Sequence, residues 1–138
     1  MPIADTEFLF ALNPEDKKHE DALKVLESLK SGEIIDIAVT DTAILEYYFV
    51  LKNRKFSYVK IESLLYALNK IFKDYDIKEV NTLGKDLFLR QLEIQKSHNI
   101  SFFDSLLAAS AESYDKSIIS DDTAYDVLKT LRRIKLSR

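Results

Sequence analysis

Apolar residues recur along this chain in two alternating rhythms, brief continuous runs and longer stretches at three- and four-residue spacing. Ile3 and Ala4 make a short apolar approach to Asp5, and Phe8, Leu9, Phe10 and Leu12 follow as a buried segment, which predicts a strand and then a turn into helix. Pro14 to Asp16 break the run. Ala22, Leu23, Val25, Leu26 and Leu29 then recur on one helical face, with Gly32 as a stop signal. The β-branched run over 34–39 is bounded by Gly32 and by Thr40, Asp41 and Thr42, so it predicts a buried strand leading into a helix cap.

The same rhythm predicts helices over 42–51, 58–72 and 83–94, with a short strand over 77–80 between the last two. Ile100, Phe102 and Phe103 precede Asp104, and the run SLLAASA after it predicts a buried helix. Ser117, Ile118 and Ile119 predict a strand ending at Ser120, Asp121 and Asp122. A further helix is expected from about Thr123, and a last strand over 134–136. Strands alternating with helices specify an α/β layered fold with a parallel sheet.

Composition sharpens this picture. A chain of 138 residues has room for one hydrophobic core, so a single domain over 1–138 is expected. With 46% hydrophobic residues, two Gly and two Pro, a disordered tail or low-complexity linker is not expected. The absence of cysteine removes disulfides, thiolate metal sites and cysteine nucleophiles, and it fits a reducing cytoplasm. His19 and His98 are far apart in sequence, so any metal would be bound by oxygen. The start of the chain lacks the basic and apolar pattern of a secretion signal, and no segment approaches the roughly 20 apolar residues of a membrane span.

A formal charge of -3 argues against a generic polyanion binder, but the charge is unevenly placed. Lys129, Arg132, Arg133, Lys135 and Arg138 crowd the end of the chain, and Lys52, Arg54 and Lys55 form a second cluster. These are either solvated helix ends or local edges for phosphate. The aromatics Tyr47, Tyr48 and Phe56 are expected in the core rather than on a dimer face.

Four of the 23 acids stand apart by position. Glu46 is the only charge in its apolar helix, which is expected to be buried on most faces, and Asp104 is the only charge from Asn99 to Ala111. An unpaired buried carboxylate costs several kcal/mol, so each requires a cation, strong hydrogen bonds or a raised pKa. Asp5 and Asp122 each follow a short strand, where ligand sites form in open parallel sheets, although either could simply cap the turn after it. Carboxylates converging on one point call for divalent cations, and hard oxygen ligands select Mg²⁺ or Mn²⁺.

These four acids occur in the order and setting of the PIN-domain nucleases, including the VapC toxins. The segments IADTEFLFAL, ILEYYFVL, ISFFDSLLAASA and SIISDDTAYD carry the resemblance, which covers nearly the whole chain. It implies a three-layer α/β/α sandwich and metal-dependent endonuclease action on single-stranded RNA. Asp5, Glu46, Asp104 and Asp122 take the acidic positions and Ser120 the small hydroxyl position. A VapC-like protein would be a homodimer with a cognate antitoxin.

The chain departs from the family pattern at Glu7, where Asn or Ser is usual, while Thr6 fits. Glu7 would either alter the metal geometry or face solvent. Asp121 falls at a variable position, and Asp126 is read as a surface charge rather than an outer ligand. Two other functions compete: a catalytically weak PIN-like binding module for RNA or protein, and a metal-dependent small-molecule phosphohydrolase. Against the latter stands the lack of a glycine-rich phosphate loop.

Overall fold

The computed structural model describes residues 1–137. Its strands are β1 (Ile3–Ala4), β2 (Ala38–Thr40), β3 (Lys78–Val80), β4 (Ser117–Ile119) and β5 (Arg132–Ile134). The helices are α1 (Thr6–Ala11), α2 (His19–Ser31), α3 (Asp41–Asn53), α4 (Tyr58–Asp74), α5 (Lys85–Ser97) and α6 (Phe102–Glu112), with a 3-10 turn over Thr123–Val127. All pairings are parallel, in the order β3-β2-β1-β4-β5. The three inner strands are buried throughout, as expected where helices cover both faces of a parallel sheet in a three-layer α/β/α sandwich.

The strand order positions everything that follows. From β1 the chain moves outward through β2 and β3 on one side, then returns to place β4 and β5 on the other. The carboxyl ends of β1 and β4 therefore flank the point where the direction of winding reverses, the place where a crevice opens in such sheets. Ala4 is in register with Ile119, and the Asp5 amide bonds the Ile119 carbonyl at 3.0 Å. The residues just past these two strands, Asp5 and Ser120, are thereby brought side by side.

Most predicted elements are present, and the exceptions have local causes. The apolar run over 34–39 forms a strand only from Ala38. The Ile34 amide is spent on the Ser28 carbonyl, closing the end of α2 through Gly32 in the left-handed region at φ 83°, and Ile35 is left 87% exposed. The final strand lies at Arg132–Ile134 rather than 134–136, because the ladder with β4 pairs Ser117 with Arg132 and Ile119 with Ile134. As an edge strand it needs only one apolar face, which hides it from an apolar pattern, while Leu136 is buried beyond it. The helix expected at Thr123 is a 3-10 turn that ends at Leu128.

Helix α3 is also less enclosed than its composition suggests. Thr42, Ala43, Tyr47 and Leu51 are buried, whereas Leu45, Tyr48 and Phe49 are exposed. Tyr47 is thus in the core as expected, and Tyr48 and Phe56 are not. The start of α3 is set by Thr40, whose buried hydroxyl accepts the Ala43 amide at 3.1 Å. Thr40→Ala strands that amide, so a loss of about 1–2 kcal/mol in urea unfolding is expected.

Candidate functional site

Asp5 is the first residue after β1 and the N-cap of α1, and its side chain is 6% exposed. Its carboxylate accepts the Thr6 amide at 2.7 Å, the Ser120 hydroxyl at 2.6 Å and the Tyr125 hydroxyl at 3.3 Å. Ser120, just past β4, in turn accepts the Asp122 amide at 3.0 Å. The ends of both strands are thus joined through one buried hydroxyl.

Asp104 lies in the first turn of α6, whose N-cap Ser101 accepts the Asp104 amide at 3.3 Å. Its half-buried carboxylate accepts the same Tyr125 hydroxyl at 3.3 Å. Glu46 is half-buried on α3. Asp122 is exposed and caps the 3-10 turn by accepting the Ala124 amide at 2.9 Å. Asp5 and Asp122 thus do cap the turns after them, and capping leaves lone pairs on both carboxylates for other donors or a cation.

Burial is the first cause of an unusual electrostatic state. It pushes Asp5 up to about 7, assisted by the Glu7 and Asp104 charges and opposed by the Ser120 and Thr6 hydrogen bonds. Glu46 is raised by burial and by Asp104. The neighbouring Thr6 hydroxyl favours its charged form, although it makes no hydrogen bond of good geometry. Asp104 is raised by burial and by Asp122, against the hydrogen bonds from Ser101 and Tyr125. Asp104 is the common neighbour: it repels Asp5 and Glu46, and Asp122 repels it.

Asp5, Glu46 and Asp122 are thus each coupled to Asp104, while among the described residues no three acidic or histidine side chains are grouped so as to hold a metal ion. The donor set fits a hard divalent cation, because every donor atom on the four acids is oxygen. The Thr6 Oγ1 atom is buried with no hydrogen-bond partner, a further oxygen beside Glu46.

The additional acids have other partners. Glu7 accepts the Asp121 amide and lies 3.6 Å from Lys18 Nζ, and its charge still acts on Asp5. Lys18 sits 2.8 Å from Asp121, which also accepts the Ser137 amide and hydroxyl, and these contacts hold Asp121 down at about 2 against the opposing effect of its own burial. Asp126 forms a paired contact with Arg133 at 2.9 and 3.0 Å, in keeping with the surface reading. Arg133 is accordingly committed, whereas Lys129, Arg132 and Lys135 are exposed, and Arg138 lies outside the described residues. In the other basic cluster Lys52 lies over the Tyr58 ring at 4.6 Å and Arg54 over Phe10 at 5.2 Å.

Tyr125 is the residue that sequence reasoning missed. It is fully buried, and burial together with the Asp5 and Asp104 charges pushes its phenol far above the ordinary range, so it is a neutral donor. An aromatic three residues before Leu128 reads as core from the pattern alone, and nothing local signals where its hydroxyl goes.

A family model described as the PIN domain matches residues 3–131. Comparison with curated proteins returns no match. Among solved structures, the chain is similar to the sarcin-ricin-loop-cleaving VapC toxin of Mycobacterium tuberculosis, at 16% identity and a TM-score of 0.68 over 94% of this chain and 95% of that one. It is similar to a toxin-antitoxin complex from Klebsiella pneumoniae at 14% identity and 0.66, covering 100% and 99% of the two chains. It also resembles VapBC2 of Rickettsia felis, solved with a promoter DNA fragment, at 15% identity and 0.67 over 96% of each. At these identities the structural likeness speaks to the fold. No helix among the described residues is long and apolar enough to cross a membrane.

Proposed function

Starting from a chain that belongs to the PIN-domain family, we propose that it is a divalent-metal-dependent endoribonuclease that hydrolyses phosphodiester bonds in single-stranded RNA. The observation that carries this reading is the buried Asp5 carboxylate, raised to about 7 at the reversal point of the sheet and facing Asp104 across one hydroxyl. A charge placed at such cost requires a cation to be of use.

Asp5 and Asp104 would be the principal ligands of Mg²⁺ or Mn²⁺, with Glu46 and Asp122 completing the set directly or through water. The chemistry supplied by such a cation, when bound, is neutralisation of charge developing on the phosphate and easier deprotonation of the attacking water. Ser120 orients Asp5 by donating to one of its oxygens, and the Thr6 amide fixes the other. The exposed Lys129, Arg132 and Lys135 would hold the RNA backbone, adding affinity with little sequence information. Glu7 is tied to Lys18 and to the Asp121 amide, so the departure that favoured a weak binding module is partly neutralised by a cation even though its charge still acts on Asp5.

The structural neighbours that are toxins or toxin-antitoxin complexes support a toxin role with an antitoxin partner for this chain. A homodimer would cover the exposed Leu45, Phe49 and Phe102. The cysteine-free sequence supports placement in the cytoplasm.

The test is cleavage of a mixed single-stranded RNA pool with Mg²⁺, with Mn²⁺ and with chelator, beside Asp104→Asn. Cleavage that requires metal and disappears in the variant is expected. Full activity in chelator removes the metal from the reaction, and full activity in the folded variant removes Asp104.

A further inference from the structure

The hydroxyl of Tyr125 is placed where a phenylalanine would fill the same volume. The residue is fully buried, and its ring is fixed by a turn in which the Leu128 amide bonds the Tyr125 carbonyl at 3.1 Å. Burying a phenol oxygen is costly unless it is hydrogen-bonded, and here its partners are two carboxylates from opposite parts of the chain, Asp5 after β1 and Asp104 on α6. Both contacts are 3.3 Å, longer than the roughly 2.8 Å usual for such bonds. A phenol has one proton, so it serves one carboxylate at a time. The arrangement is a shared bridge between two groups that repel, rather than a bond committed to either.

The same turn is capped by Asp122, so one short segment carries both an acid of the cluster and the hydroxyl that spans two others. We infer that Tyr125 is a positioning residue of the candidate centre, its hydroxyl holding Asp5 and Asp104 turned toward one another so that a divalent cation meets both. This rests on the metal-dependent reading above. It assigns the tyrosine a role through the two acids and none in touching RNA.

Mn²⁺ titration by calorimetry of the wild-type protein, Tyr125→Phe, Asp104→Asn and the double variant tests this. Tyr125→Phe keeps the ring and should keep the fold, with Mn²⁺ affinity falling about tenfold, the scale of losing an outer partner of a ligand. In the Asp104→Asn background the same change should weaken affinity by less than about twofold, because only one of the two charges it bridges remains. Wild-type binding with an unchanged or tighter Tyr125→Phe variant overturns the inference and leaves the metal reading intact, as do independent, additive losses. A wild-type protein that binds no Mn²⁺ overturns both. Should Tyr125→Phe fail to fold, Asp104→Asn in the same chain must restore folding by removing one of two unbridged charges, and a double variant that stays unfolded overturns the assignment.

Discussion

Asp5→Asn is expected to move activity and stability in opposite directions. The amide keeps the shape of the carboxylate and can still meet Thr6 and Ser120, but it brings no negative charge to a cation. Metal-dependent cleavage should fall by at least about a hundredfold, beyond the usual cost of altering a ligand's outer partner. Stability should rise, because the folded protein no longer holds a charge in a place that raises its pKa from 3.8 to about 7. That shift corresponds to up to about 4 kcal/mol at pH 8, from a little over three pKa units at 1.36 kcal/mol each. Urea unfolding in chelator at pH 8 measures the gain. A variant that is destabilised as well as inactive would mean that Asp5 serves the fold through its cap at Thr6 and that its burial is compensated.

The metal-free wild-type protein should lose stability as pH rises from about 4 to about 7. The unfolded chain gives up the Asp5 proton near 3.8, whereas the folded protein holds it to about 7. Through that window the native state binds more protons than the unfolded state, so the free energy of unfolding falls with pH and levels off above 7. Asp5 alone accounts for a fall on the order of 4 kcal/mol, and Glu46 and Asp104, raised for the same first reason, act in the same direction. Below pH 4 the sign reverses, because Asp121, held down by Lys18 and Ser137 against its own burial, is stabilising when charged and loses that contribution as it protonates. Urea midpoints in chelator at pH 5 and pH 8 test the main fall. Equal stability at the two values would show the Asp5 charge to be compensated within the protein. Adding Mg²⁺ should restore stability at pH 8 more than at pH 5, where the cation competes with bound protons.

The sequence by itself determined the alternation of strands and helices, the parallel sheet and the isolation of Glu46 and Asp104 among apolar neighbours. These are local properties: helical spacing, β-branched runs and caps such as Thr40 act within a few residues, so they can be read along the chain. Its errors were local in kind as well. Hydrophobicity places Ile35 in a strand because it does not reveal a backbone already spent closing α2, and it omits Arg132 because an edge strand does not need an apolar signature. Tertiary structure alone decided which acids meet and what sits between them. The parallel register of β1 with β4 sets Ser120 against Asp5 across 115 residues of chain, and the 3-10 turn after β4 carries the Tyr125 hydroxyl to both Asp5 and Asp104. Glu7, which departs from the family pattern in sequence, is tied to Lys18 and the Asp121 amide while its charge still reaches Asp5. Such meetings follow from the order in which strands are laid into the sheet. A charge's energy depends on neighbours gathered through space, whereas a helix or strand is specified by neighbours along the chain.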